Sequence, residues 1–242
     1  RLVIVSRADR PPTFRGAARR ALAHGLARTE ALARLTPWGR AEATWLTGAP
    51  AFEPPAFDAA AVREWLDRGE LGSAMHVGMA YDADGVAASI ARVLQEQWAR
   101  LAVDVERLPM RGEKLAREQL SPLGAHLLLI EHQAPFEDAA SELATYVMPL
   151  REVPVGAFRS GWRTREFDRW IGLERLQDAL DVPSAQARLA GELVVLPIAT
   201  LDWVWIEREG GVGLDPSPRY GPLGHAPRVA GVGTRKSLSA FR

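Results

Sequence analysis

Apolar residues fall at every second position through Met75, Val77, Met79 and Tyr81, the spacing of a strand with one face buried. Beyond Asp84 the interval changes to three and four residues: Val86, Ile90, Val93, Leu94, Trp98 and Leu101 share one stripe, while Arg92, Glu96 and Arg100 lie opposite. That spacing predicts an amphipathic helix. Asp82 and Asp84 offer side-chain oxygens to the free N–H groups at its start. Val103 and Val105 return to period two. A strand–helix–strand unit of about 30 residues predicts a crossover between parallel strands.

The rest of the pattern places further elements around this unit. Residues 2–5 (LVIV) read as a short buried strand, broken over 9–12. Residues 14–27 read as a helix with Ala18, Leu22 and Leu26 on its apolar face and Arg15, Arg19 and Arg20 on a solvated one. A second helix starts at Thr29–Glu30 and runs to Leu35. The proline- and glycine-rich stretch 36–55 reads as an irregular loop carrying Trp38 and Trp45. Asp58 is placed to cap a helix that turns Val62, Trp65 and Leu66 inward and ends in a left-handed turn at Gly69. A helix is expected over 110–120, and LLLI at 127–130 has the unbroken apolarity of an interior parallel strand. Its carboxyl end leads into the loop HQAPFED at 132–138, and ligands bind open α/β sheets at such loops. Helices over 139–147, 164–180 and 184–192 and strands over 193–199 and 201–207 follow, with Pro197 marking a sheet edge or a strand end. From Pro216 the chain reads as an extended or disordered tail, so the expected division is a lobe over 1–215 and a tail over 216–242.

Composition narrows the chemistry. Thirty basic and thirty acidic residues cancel, which removes any general attraction to nucleic acid or to an anionic membrane. No cysteine is present, so disulfides, thiolate metal sites and cysteine nucleophiles are excluded. No apolar run approaches the roughly 18 residues of a membrane span. A first residue of Arg followed at once by a strand is read as a piece of a longer protein. No glycine-rich nucleotide loop and no zinc spacing of histidines occurs, and neither a cofactor nor a metal is expected. His126 and His132 flank the apolar strand, with Glu131 beside His132. They are read as strand-end polar residues, with a metal or acid–base role as the alternative. Glu137–Asp138 is read as an acidic cap on the helix that follows.

A series of segments, none specific alone, resembles the C-terminal half of the bacterial extracellular solute-binding proteins of family 5, the peptide, dipeptide and nickel class. RGAARRALAHGLARTEAL is similar to that family's arginine-bearing helix and second helix start, and WGRAEATW to its glycine- and alanine-rich loop. FDAAAVREWL, IARVLQEQWARLAVDVE, GWRTREFDRWI and ELVVLPIA resemble later segments in the same order, over roughly residues 1–225. The resemblance implies an α/β periplasmic-binding-protein-like lobe, with a mixed, mainly parallel sheet flanked by helices and the N-terminal lobe absent from this chain. It implies a substrate-binding component of an ABC-type importer, not an enzyme, that captures a peptide-like or other small polar solute by lobe closure. The partners would be that solute and a membrane permease, with no nucleic acid and no insertion of this segment into the membrane. The location would be periplasmic or extracytoplasmic, with a lipid anchor on an upstream segment.

Trp38, Trp45, His132, Glu137, Arg159 and Trp162 are the expected ligand-binding residues. The family's loop after the apolar strand reads Trp, two residues, Asp, aromatic. Here His132 stands for the Trp and Pro135 for the Asp, with Glu137 and Asp138 just beyond. Either one of those acids replaces the Asp that binds a peptide amine, or the ligand is not an ordinary peptide. Two other classes remain open at this point: the solute-sensing domain of a transcriptional regulator, and a hydrolase built on the residues around 131–138.

Overall fold

The computed structural model describes residues 2–35, 39–41, 53–72, 75–112, 114–115, 124–131 and 182–201. All of them fall in one compact unit, Arg1–Asp202; a second unit, Trp203–Arg242, lies wholly outside them, as does the expected tail. In chain order the elements are strand β1 (Leu2–Ser6), helices α1 (Gly16–His24) and α2 (Arg28–Ala33), strand β2 (Gly39–Ala41), helix α3 (Ala59–Arg68), strand β3 (Met75–Asp82), helix α4 (Val86–Ala99), strands β4 (Val103–Met110) and β5 (Leu127–Glu131), helix α5 (Val182–Glu192) and strand β6 (Val195–Leu201).

Among the described residues these strands form one sheet in the order β2–β6–β1–β5–β3–β4. The strand–helix–strand unit is present as expected, with β3 parallel to β4 from Met75↔Val103 to Asp82↔Met110. Strand β5 lies parallel to β3 on one side and antiparallel to β1 on the other. Strand β6 is antiparallel to β1, and β2 to β6. Strands β3, β4, β5 and β6 therefore point one way in a mixed sheet, and β1, inserted between β5 and β6, runs against them.

One face of the sheet packs on α1 to α4. Leu2, Ile4, Met75, Val77, Met79, Leu127 and Leu129 meet Leu22, Val62, Ile90, Leu94 and Trp98 in a single buried cluster. On the other face Val3, Val5, Leu128, Ile130 and Val195 are buried too. Burial on both faces is the reason LVIV and LLLI carry no polar alternation. Trp98 ties α4 to α1: its indole is fully buried and Nε1 donates to Leu22 O at 3.0 Å. One residue earlier, buried Gln97 accepts from Ala27 N–H at 3.1 Å and donates to Ala27 O at 3.0 Å, which fixes the start of α2.

Several local expectations need correction. The basic face of α1 is not uniformly solvated. Arg19 is buried, donating to Glu192 Oε2 and O at 2.7 Å and to the carbonyls of Thr13 and Phe14 at 2.9 and 3.0 Å. Burial lowers its pKa, and the Glu192 carboxylate opposes that shift. Arg15 donates to Gly69 O, and the Arg20 and Arg68 guanidinium groups stack 5.1 and 5.0 Å from the Trp65 ring centre.

Asp58 caps α3 as expected, accepting from Ala60 and Ala61 N–H at 2.9 and 3.0 Å. The left-handed residue after α3, however, is Glu70 at φ 50, not Gly69, whose φ is −81. The stretch read as loop contains β2, and β4 extends to Met110, where a helix was expected to begin. Helix α5 begins at Val182, so Pro183 lies in its first turn, where a missing N–H costs nothing. Finally, β6 neither ends at Pro197 nor is an edge strand. Its pairing shifts register there, Val3 facing Pro197 while Leu2 faces Ala199, and β2 reaches only Ala199 to Leu201. An irregular rung is where a residue without an N–H fits a sheet.

A Cβ on Gly25 would stand 2.7 Å from Trp98 Cδ1 and 2.9 Å from Nε1, and the buried indole has no room to give way. Gly25→Ala should therefore destabilise the protein by about 1–3 kcal/mol. Trp98→Phe, which leaves Leu22 O unpaired, should cost a similar amount. Urea denaturation followed by circular dichroism checks both. A Gly25→Ala protein as stable as wild type would show that α1 and α4 are not packed this closely.

Candidate functional site

The strand directions bring Asp82, Met110, Glu131 and Leu201, the carboxyl ends of β3 to β6, to one edge of the sheet, alongside Leu2 and Gly39 at the starts of β1 and β2. Ligands of open α/β sheets bind outside this edge. The turn from β3 to α4 is held closely there. Asp82 Oδ1 accepts from Asp84 N–H at 3.1 Å, Ala83 N–H donates to Met110 O at 2.8 Å, and Asp84 Oδ2 pairs with Arg111 Nε at 2.9 Å.

Neither aspartate caps α4, contrary to the sequence reading. The N-cap residue is Gly85, and the N–H of Ala87 donates at 3.1 Å to Oε1 of Glu131, which reaches over from the end of β5. A carboxylate against the positive end of a fourteen-residue helix is a favourable placement. A Cβ at position 85 would collide with that oxygen, so a side chain there would displace the carboxylate.

At the opposite edge His126 precedes β5. Its backbone N–H donates to Gly78 O at 2.8 Å, and its Nδ1 accepts from Gly78 N–H at 2.8 Å. Accepting at Nδ1 requires the neutral ring with its proton on Nε2. Burial lowers the His126 pKa from the usual imidazole value, helped by Arg10 and His76 and opposed by the Pro11 backbone and Glu106. His126 and Glu131 sit at the two ends of a five-residue strand, about 17 Å apart at 3.3 Å per residue. They cannot share an acid–base step. His76, exposed on β3, pairs with Asp104 Oδ2 at 2.9 Å and lies 3.7 Å from Glu106, a surface contact of small energetic weight. Among the described residues no group of three His, Asp or Glu side chains could hold a metal ion.

All six expected ligand residues, Trp38, Trp45, His132, Glu137, Arg159 and Trp162, lie outside the described residues. Two are sequence neighbours of described positions: Trp38 precedes Gly39 and His132 follows Glu131, and both Gly39 and Glu131 lie on the carboxyl edge. What sequence reasoning missed is the role of Glu131 as the cap of α4. The available signal was a helix preceded by glycine, together with a lone acid closing an apolar strand.

No protein-family model matches the chain, and no curated protein sequence matches it at a significant level. Solved structures do. The chain is similar to a dipeptide-binding protein from Pseudoalteromonas sp. SM9913 in complex with Met-Leu, with a TM-score of 0.68 and 17% identity over 83% of this chain and 42% of that one. It is similar to NikA from Brucella suis in complex with Fe(III)-EDTA (TM-score 0.65, 18% identity, 83% and 45%). A third is DppA, an ABC transporter-associated periplasmic binding protein from Helicobacter pylori, in complex with the peptide STSA (0.66, 13%, 82% and 41%). The chain thus has the fold of the substrate-binding proteins of ABC transporters, the class named by the sequence resemblance, and spans less than half the length of these structures.

Glu131→Ala should lower stability by about 1 kcal/mol, the cost of a lost helix cap. Gly85→Ala should cost about as much in wild type by displacing the carboxylate, yet little or nothing in the Glu131→Ala background. Denaturation of the two single variants and the double variant checks this. Strictly additive losses would show that Glu131 is not the cap of α4.

Proposed function

We propose that this chain is one lobe, running over residues 1–215, of a substrate-binding component of an ABC-type importer. It binds a peptide-like or other small polar solute, and the lobe closes on that solute against a second lobe of the whole protein. The observation that carries this reading is the fold, shared over about four-fifths of the chain with proteins whose structures hold a dipeptide, a peptide and a metal chelate. Binding rather than catalysis is also supported by the two titratable residues at the ends of β5, since His126 and Glu131 are both engaged in holding backbone N–H groups.

In this reading the rigid sheet carries loops at its carboxyl edge, and Trp38, Trp45, His132, Glu137, Arg159 and Trp162 supply the aromatic and polar lining of the cleft. Ligand contacts made only in the closed state would draw the two lobes together. The solute and the membrane permease are the partners, and the site of action is extracytoplasmic. No helix among the described residues is long and apolar enough to cross a membrane.

The test uses the whole protein and a panel of di- to pentapeptides that includes Met-Leu. A bound peptide should raise the melting temperature in proportion to the logarithm of its concentration. Trp162→Ala should weaken that binding about tenfold or more, as loss of an aromatic anchor does, with the melting temperature of the free protein unchanged. If no peptide shifts the melting curve, peptide binding is wrong. If Trp162→Ala lowers the melting temperature while affinity holds, Trp162 belongs to the core. Release of amino acids from the panel would replace binding with hydrolysis.

A further inference from the structure

Strands β3 and β5 join the two halves of the sheet, β2–β6–β1–β5 and β3–β4, and their ladder is short. It has three residue pairs, Met79↔Leu127 to Tyr81↔Leu129, against eight between β3 and β4. His126 lengthens that seam by one further rung of an unusual kind. Its backbone N–H donates to Gly78 O at 2.8 Å, but the acceptor for Gly78 N–H is the imidazole Nδ1, also at 2.8 Å. A side chain thus stands in for the carbonyl that a sheet would ordinarily supply. His126 O in turn accepts from Arg7 N–H at 2.8 Å, so the same residue holds the end of β1 as well.

We propose that His126 is an acid-sensitive latch on this seam, closed when the ring is neutral and released when it gains a proton. A protonated imidazole has an N–H at both nitrogens and no acceptor. Nδ1–H would then face Gly78 N–H, donor against donor, and leave a sheet amide without its partner. The new charge would also meet Arg10 of the β1–α1 connection and His76 of β3, with Glu106 of β4 as the opposing carboxylate; these are the titratable groups of the described residues that act on the ring. Arg10 is held close by, its Nη1 donating to Ala125 O at 2.9 Å.

The direction of the pH effect follows from these contacts. The folded protein favours the neutral ring and the unfolded chain does not. The stabilisation is therefore complete above the ordinary imidazole value of 6.5 and is lost as pH falls below it, levelling off below the folded value. This latch does not depend on what the protein binds.

The experiment compares the full wild-type chain with His126→Asn, whose Oδ1 can take the place of Nδ1 as acceptor but cannot be protonated. Between pH 7.5 and 5 the unfolding constant of wild type should rise several-fold more than that of the variant. In wild type, NMR should show the His126 ring titrating below 6.5, with the Gly78 amide resonance moving at the same midpoint. Superimposable stability profiles for the two proteins would overturn the proposal. If the variant does not fold, the NMR titration decides alone: a Gly78 amide that stays fixed while the ring titrates would also overturn it.

Discussion

Strand β5 must satisfy two neighbours of opposite sense within five residues, and the rest of the sheet depends on its doing so. It is antiparallel to β1 along its whole length and parallel to β3 over three rungs. Its apolar residues are buried on both faces, so hydrophobic burial holds it in place but does little to fix its ends. The ends are fixed by polar contacts. At the amino end His126 takes the Gly78 amide, and at the carboxyl end Glu131 takes the Ala87 amide of α4. Each reaches across the seam to the β3–α4–β4 unit, so the apolar strand is pinned by a hydrogen bond at each end. The second of them fixes Glu131, the last residue of β5.

Helices repeat this arrangement. Trp98 and Gln97 of α4 supply bulk and hydrogen bonds to the carbonyl of Leu22 and to the backbone of Ala27. Arg19 of α1 reaches the end of α5, joining segments far apart in sequence. Buried polar groups of this kind are tolerated because they are well paired, and they orient the helices more sharply than apolar contact alone.

Elements that depend on local periodicity were readable from the sequence. Helix α4 and its flanking strands, the Asp58 cap on α3 and the two-faced apolarity of β5 all express a pattern contained within a few turns or a few residues. What could not be read depends on residues distant in the chain. Asp82 and Asp84 had the right chemistry and position to cap α4, but Glu131 arrives from another strand and fills the place. Arg19 looks solvated until Glu192 is brought beside it. Pro197 argues for an edge until the register shift against Leu2 and Val3 accommodates it inside β6. The carboxyl ends of β3 to β6 lie at one edge, while the loop HQAPFED expected after β5 lies outside the described residues. The six residues expected to line a cleft there lie outside the described residues, and they rest on the family resemblance together with loop placement.

The position of β1 also governs how the chain can assemble. Its partners are Glu131 on one side of Leu2 and Ala199 on the other, both well over a hundred residues away, whereas β3, α4 and β4 are consecutive. The local unit closes few loops and can form early, while the β1 pairings carry the high contact order that slows folding. During synthesis at roughly 5–20 residues per second, β1 waits on the order of ten seconds for β5 and longer for β6. Throughout that wait LVIVS is an unpaired apolar strand with both edges open, the kind of segment that aggregates when left exposed. A sheet that encloses β1 between two strands made much later thus leaves that segment exposed until both have been made.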